Sequence, residues 1–203
     1  MHLPRHFTED STEAVVAMVR TAEFGHLVVS GPDGLDSTPI PFVISDDGSR
    51  VRAHLARPNQ IWKLAPCEAL LIVPVSDAYV SPSWYPSKAD HGKVVPTWNY
   101  EVVHLHGRLI AHDDAEWTAS MVADLTDLHE ASRPSPWSVG DAPAGYTDKL
   151  MGGIVGIELS VSRVEAKRKL SQNKSEADRS GVVAGLANSP SPSARAVGEA
   201  MQS

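Results

Sequence analysis

Between residues 24 and 112 this 203-residue chain reads as one strand-type run after another, with almost no helical pattern between them. His26–Ser30, Ser37–Ile44, Arg50–Leu55, Ala69–Val75, Asp77–Trp84 and Asn99–His112 are apolar or alternating runs, and Ile154–Val164 adds another further on. Turn signals such as Gly31-Pro-Asp-Gly34 and Asp46-Asp-Gly48 separate them. Only Pro58 opens a short helix, through Leu64, inside this series. Strands packed this closely leave no room for β-α-β crossovers, so a doubly wound parallel sheet is excluded and an α+β barrel is expected. Pro39 and Pro41 each remove a ladder donor, which places the second strand at an edge or a bulge.

Helices are expected at the margins. Residues 11–22 put apolar groups at 15, 16, 18, 19 and 22, with Asp10 or Ser11 as cap. Asp113 and Asp114 cap a second helix to about residue 129, with Trp117, Met121, Leu125 and Leu128 on one face. Residues 86–93 and 131–145 read as loops, and short helices are expected at 174–187 and 193–202. The spacing divides the chain into a barrel domain over 1–165 and a basic helical extension over 166–203 packed on it.

Composition narrows the setting. A hydrophobic content of 42% supports one real core, and no stretch reaches the roughly 18 apolar residues of a membrane span. The N-terminus lacks a signal-peptide core, and Cys67 is the single cysteine, which together point to a reducing cytoplasm. The net charge of −7 argues against a nucleic-acid coat. Yet residues 163–179 hold Arg163, Lys167, Arg168, Lys169, Lys174 and Arg179, a basic island able to grip a phosphate or make a weak DNA contact.

Candidate chemistry concentrates in two places. Residues 79–100 carry Tyr79, Trp84, Tyr85, Trp98 and Tyr100, five of the twelve aromatic residues, among serines, Lys88 and Lys93. Flat apolar faces beside hydrogen-bond donors suit a planar, charged ligand. The segment His54-Leu-Ala-Arg-Pro-Asn-Gln60 joins a strand to a helix start, where Arg57, His54 and Asn59 could hold a phosphate. His54 could equally ligate a haem iron, or be an ordinary hydrogen-bonded strand residue. His104 and His106 share a strand face with Glu101 nearby, a pattern that can seed a metal site but is commoner in plain strands. Hydrolase elbows, zinc-protease motifs and nucleotide loops are all missing, so no catalytic residue is assigned.

Several longer motifs together carry a resemblance. Val80-Ser-Pro-Ser-Trp-Tyr-Pro-Ser-Lys88, Val95-Pro-Thr-Trp-Asn-Tyr100, His106-Gly-Arg108, Lys169-Leu-Ser-Gln-Asn173 and Glu176–Leu186 are similar to the PaiB family of FMN-binding negative transcriptional regulators. The resemblance runs from Pro4 to about Leu186. It implies an FMN-binding split β-barrel of the pyridoxamine-phosphate-oxidase type, working as a homodimer with cofactor sites at the interface. By the same resemblance, His54, Arg57 and Asn59 contact the FMN phosphate, and Ser81, Trp84, Lys88, Trp98 and Asn99 line the ring. Two departures bear on those contacts: Arg57-Pro58-Asn59-Gln60 replaces the family's Arg-Ala-Asn-Pro, and Arg168 stands where an aromatic residue is common. Haem-dependent relatives that form an N–N bond, like piperazate synthases, imply an alternative: haem b with His54 as axial ligand, or a flavin-dependent oxidoreductase on the same barrel. The aromatic segment serves either cofactor, so the choice turns on His54.

Overall fold

The computed structural model describes residues 1–143 and 145–202. In chain order the strands and α-helices are β1 (Thr8–Glu9), α1 (Thr12–Ala22), β2 (Phe24–Gly31), β3 (Gly34–Pro41), β4 (Val43–Ile44), β5 (Arg50–Ala56), β6 (Cys67–Val80), α2 (Ser87–His91), β7 (Thr97–His112), α3 (Ala115–Glu130), α4 (Tyr146–Met151), β8 (Ile154–Lys169), α5 (Glu176–Ala187) and α6 (Pro192–Ala200). The strands form a sheet in the order β3-β2-β6-β7-β8-β5-β4, with β1 paired to β8, and every pair with an assigned register is antiparallel. These antiparallel pairings are those expected of an α+β barrel.

β3, with Pro39 and Pro41, sits at the end of the strand order and bonds only to β2. Its missing donors therefore face no second neighbour. The β2–β3 hairpin closes on the Gly31↔Gly34 pair, and Gly34 adopts φ 112°, which a side chain would resist. Three expectations change. The two strands expected at 69–75 and 77–84 are one, β6, running unbroken over Cys67–Val80. Residues 86–93 include the one-turn helix α2, and β8 continues past Val164 to Lys169, taking half of the basic island into a strand.

The chain divides into two compact units, and β6, β7 and β8 each contribute a segment to both. The larger comprises 16–73 and 104–164. Its buried side chains recur at period two along the strands, as Leu27 and Val29 on β2, Val51, Ala53 and Leu55 on β5, and Leu105 and Leu109 on β7. α3 adds Thr118, Met121 and Leu125 at spacings of three and four, after Asp114 accepts the Trp117 amide as N-cap at 2.7 Å.

The smaller unit comprises 1–15, 74–103 and 165–203. Ala78, Val80, Tyr85, Leu170, Val182, Leu186, Val197 and Met201 are among the buried residues of its core, closed by Trp84 and Val183. Ser175 and Ser191 cap α5 and α6, with Pro192 fixing the first turn of α6. Gly181 and Gly185, four apart on one face of α5, let the 84–86 segment lie directly on that helix. A Cβ at Gly181 would stand 2.0 Å from the Trp84 carbonyl oxygen, and one at Gly185 2.4 Å from the indole. Among the described residues no helix is long and apolar enough to cross a membrane.

Candidate functional site

In the larger unit, β5 delivers His54 opposite Gly156 of β8. The imidazole lines a largely apolar cavity of about 210 Å³ with Val122, Trp137, Leu150, Met151 and Ile154. Its Nδ1 is buried and has no hydrogen-bond partner. Burial pulls the His54 pKa down, so the ring is held neutral with a lone pair or an N–H to offer.

Arg57 and Asn59, the other two residues of the expected phosphate contact, are engaged by the chain itself. The Arg57 guanidinium donates to both Asp113 carboxylate oxygens at 3.1 and 2.7 Å, to the Gly152 carbonyl at 2.9 Å and to the Ile154 carbonyl at 3.2 Å. Four of its five N–H donors are thereby used and its charge is balanced. The Asp113 hydrogen bond raises the Arg57 pKa against the effect of burial, and Arg57 in turn lowers that of Asp113. Asn59 caps the 3-10 turn Gln60–Leu64 by accepting the Ile61 amide at 3.0 Å, and its Nδ2 donates to Thr38 Oγ1 at 3.2 Å.

The remaining five predicted residues fall in the smaller unit. Ser81 caps the 3-10 turn Pro82–Trp84 by accepting the Ser83 amide. Trp84 lays its indole on Gly185 of α5, so one ring face is covered. Lys88, on α2, is exposed and donates to Ser83 Oγ at 3.3 Å. Trp98 stays 54% exposed on β7, edge-to-face with Tyr79 of β6 at 6.2 Å between centroids. Asn99 is fully buried, exchanging hydrogen bonds with Ser171 and donating to the Met201 sulfur. Trp98, Tyr79 and Lys88 thus face outward, whereas Asn99 belongs to the core.

Two features of this unit escape a sequence reading. Glu101, 6% exposed, accepts from Arg168 Nε at 2.8 Å on one oxygen and from Ser76 Oγ at 2.9 Å on the other, with Glu9 also 3.7 Å from Arg168. Its carboxylate is therefore occupied, apart from the His104–His106 pattern that had seemed a possible metal seed. The second feature is a set of lysines. Lys169 Nζ donates to Thr97 Oγ1 at 2.8 Å and to the Trp98 carbonyl. Lys167, only 7% exposed, donates to the His2 carbonyl at 2.9 Å with its ammonium 5.4 Å from the Tyr100 ring centroid. Burial lowers the Lys169 pKa, and the charges of Lys167 and Lys174 lower it further. Period-two alternation from 165 to 169 was the available signal: odd positions carry the lysines and Arg168 turns the other way, to Glu101 and Glu9.

In the smaller unit, an outward Trp98–Tyr79 pair and the lysine bonded to the Trp98 carbonyl fit what a flavin mononucleotide demands: a flat apolar wall and a cation for its phosphate. The antiparallel α+β topology is that of a split β-barrel. Residues 1–163 match the family model described as "Putative FMN-binding domain". The chain belongs to this PaiB-type family, whose cofactor is FMN. It is 29% identical over 206 residues to the "Protease synthase and sporulation protein PAI 2" of Bacillus subtilis, covering 100% of this chain and 97% of that one. In fold it is similar to the flavocytochrome Anf3 from Azotobacter vinelandii, with TM-score 0.65, 18% identity, and 88% of this chain and 78% of that one covered. It is similar as well to a FAD and heme binding protein from Mycobacterium smegmatis, with TM-score 0.62, 14% identity, and coverage of 85% and 78%.

Proposed function

We propose that the protein is an FMN-binding PaiB-type regulator that works as a homodimer in the cytoplasm. The observation that carries this reading is the full-length similarity to a PaiB protein together with the family match over 1–163. The exposed Trp98 and Tyr79 are the residues of this chain suited to flank the flavin ring, with Lys88 and Ser81 at its margin. FMN, when bound, supplies reversible two-electron acceptance; the chain's part is to orient the ring, shield it from water and neutralise its phosphate. Half of the dimer proposal rests on exposure: an aromatic pair left 54% and 49% open on one protomer is the kind of surface a second copy covers.

Regulation through direct DNA contact would require the basic island at 163–179 to present its charges outward. Lys167, Arg168 and Lys169 instead lie within β8 and engage His2, Glu101, Thr97 and Trp98, and Arg179 donates to the Met201 carbonyl. This supports regulation through the cofactor's state or a partner ahead of a phosphate-tracking surface. Purified protein should be yellow, with the paired near-ultraviolet and blue bands of FMN, and a colourless protein that takes up no FMN on titration would overturn the reading. A gel shift on promoter DNA at about 0.15 M salt, with and without FMN, tests direct repression.

One observation supports a second reading. His54 is neutral and lines an apolar cavity, a setting in which an imidazole nitrogen could ligate a haem iron. An intense Soret band that disappears in His54→Ala would favour a haem enzyme; a flavin spectrum unchanged by that substitution would exclude it.

A further inference from the structure

A lysine that is nearly buried normally faces a carboxylate, because an unpaired ammonium is costly to remove from water. Two lysines of the smaller unit break that rule. Lys167 has a carbonyl and the Tyr100 ring as its partners, and Lys169 has a hydroxyl and a carbonyl. Among the described residues no carboxylate lies within ion-pair distance of either. Lys174, whose charge also bears on Lys169, sits 5.3 Å from the Tyr85 ring centroid. Lys167 and Lys169 thus direct their hydrogen bonds at neutral oxygens, and Lys169 keeps a third N–H to give. Its anchor, the Trp98 carbonyl, belongs to the exposed aromatic residue of the Trp98–Tyr79 pair.

We infer that Lys169, flanked by Lys167 and Lys174, forms an anion subsite that receives the phosphate monoester of the flavin. This deepens the FMN reading and rests on it, and it moves the phosphate contact away from Arg57. The contrast between the two cationic centres decides the matter. Arg57 already has a bidentate carboxylate, so a phosphate there would have to displace Asp113 or meet its negative charge. At Lys169 the ammonium is bonded only to a hydroxyl and a carbonyl; the Asp178 carboxylate acts on Lys174 but is already bonded to Ser87. Recessed placement also selects the size of the anion: a duplex needs an outward row of charges, whereas a half-buried cluster accommodates one small dianion.

FMN and riboflavin differ by this phosphate alone, so their affinity ratio isolates the subsite. Titration of the full-length apoprotein, followed by quenching of flavin fluorescence, should give FMN the tighter binding by roughly 10- to 100-fold, the range of a charge-assisted hydrogen bond. Lys169→Gln should bring that ratio close to one, and Arg57→Gln should preserve it. The reverse pattern overturns the inference. Because Lys169 also anchors Trp98, Lys174→Gln serves as a second variant that removes charge without touching that anchor, and it too should lower the ratio. If the wild-type protein binds neither flavin, the FMN reading fails, and inorganic phosphate then tests the subsite alone. At fixed ionic strength, phosphate should raise the melting temperature of the wild type and of Arg57→Gln but not of Lys169→Gln. Absence of any phosphate effect on the wild type would refute the subsite.

Discussion

Arg57–Asp113 in the larger unit and Arg168–Glu101 in the smaller are arginine–carboxylate pairs that differ mainly in their access to water. Arg57–Asp113, in the larger unit, has side chains 40% and 56% exposed. Arg168–Glu101, in the smaller, has them 28% and 7% exposed. Contact distances are alike, 2.7 and 2.8 Å, and the exposed pair is the bidentate one, so what sets them apart energetically is solvent. An exposed pair is screened and contributes little, while a buried pair is weakly favourable intact and costly to break by halves. Sequence motifs drew attention to Arg57, but the structure gives Arg168 the larger energetic consequence.

Glu101→Ala is the variant expected to separate them most widely. It takes away the acceptor of Arg168 Nε, leaves Glu9 3.7 Å from that guanidinium, and strips Ser76 Oγ of its acceptor. Loss of one partner of a buried pair costs about 3 kcal/mol or more. Urea unfolding should show that fall, and the double variant Glu101→Met, Arg168→Met should recover much of it because no charge is then stranded. A loss within the range of an ordinary surface substitution would erase the distinction between the two pairs.

Part of this contrast could be read from the sequence and part could not, for identifiable reasons. The edge position of β3 was legible because Pro39 and Pro41 act locally, on their own missing amides. The irregular 131–138 stretch was legible too, from its proline and serine content. The unbroken course of β6 was not. Ser76 and Asp77 look like a break, yet Ser76 is held by Glu101, and the Asp77 amide donates to Ser193 Oγ, 116 residues away. The strand character of 165–169 was hidden likewise, because its charges answer to Glu101, Thr97 and His2 rather than to neighbours in sequence. Of the candidate site, the aromatic segment was visible as composition. Which of its members face outward depends on where α5 lies: Gly185 covers Trp84, and nothing comparable covers Trp98.

Acid should sharpen the comparison from the other side, since in the larger unit burial shifts His54 whereas the Arg57–Asp113 pair is exposed. Burial lowers the His54 pKa below the ordinary value of about 6.5, so the unfolded chain binds that proton more readily than the folded one. The stability held by neutral His54 is complete above about pH 6.5 and is lost as the pH falls through the folded value. Melting temperature should therefore decline below about pH 6.5, and His54→Phe, which cannot take up a proton, should flatten that limb of the profile. An identical slope in the variant would show that burial of His54 carries no proton linkage.

Asp113→Asn should have the smallest effect of the three. The carboxylate is more than half exposed, and Arg57 keeps its bonds to the Gly152 and Ile154 carbonyls when Asp113 is neutral. The shift is one of direction: Arg57 lowers the Asp113 pKa, so whatever the pair contributes is present at neutral pH and fades only as acid protonates the carboxyl. At pH 7 the variant should melt within the scatter of replicate wild-type scans, and 1 M salt should leave the two alike, because the Debye length there is about 3 Å. A clear loss of stability at both salt concentrations would mean that Asp113 holds Arg57 as a structural clasp between the end of β5 and the start of β8. The two arginine pairs would then differ in degree only, and the guanidinium of Arg57 would be even less free to meet a phosphate.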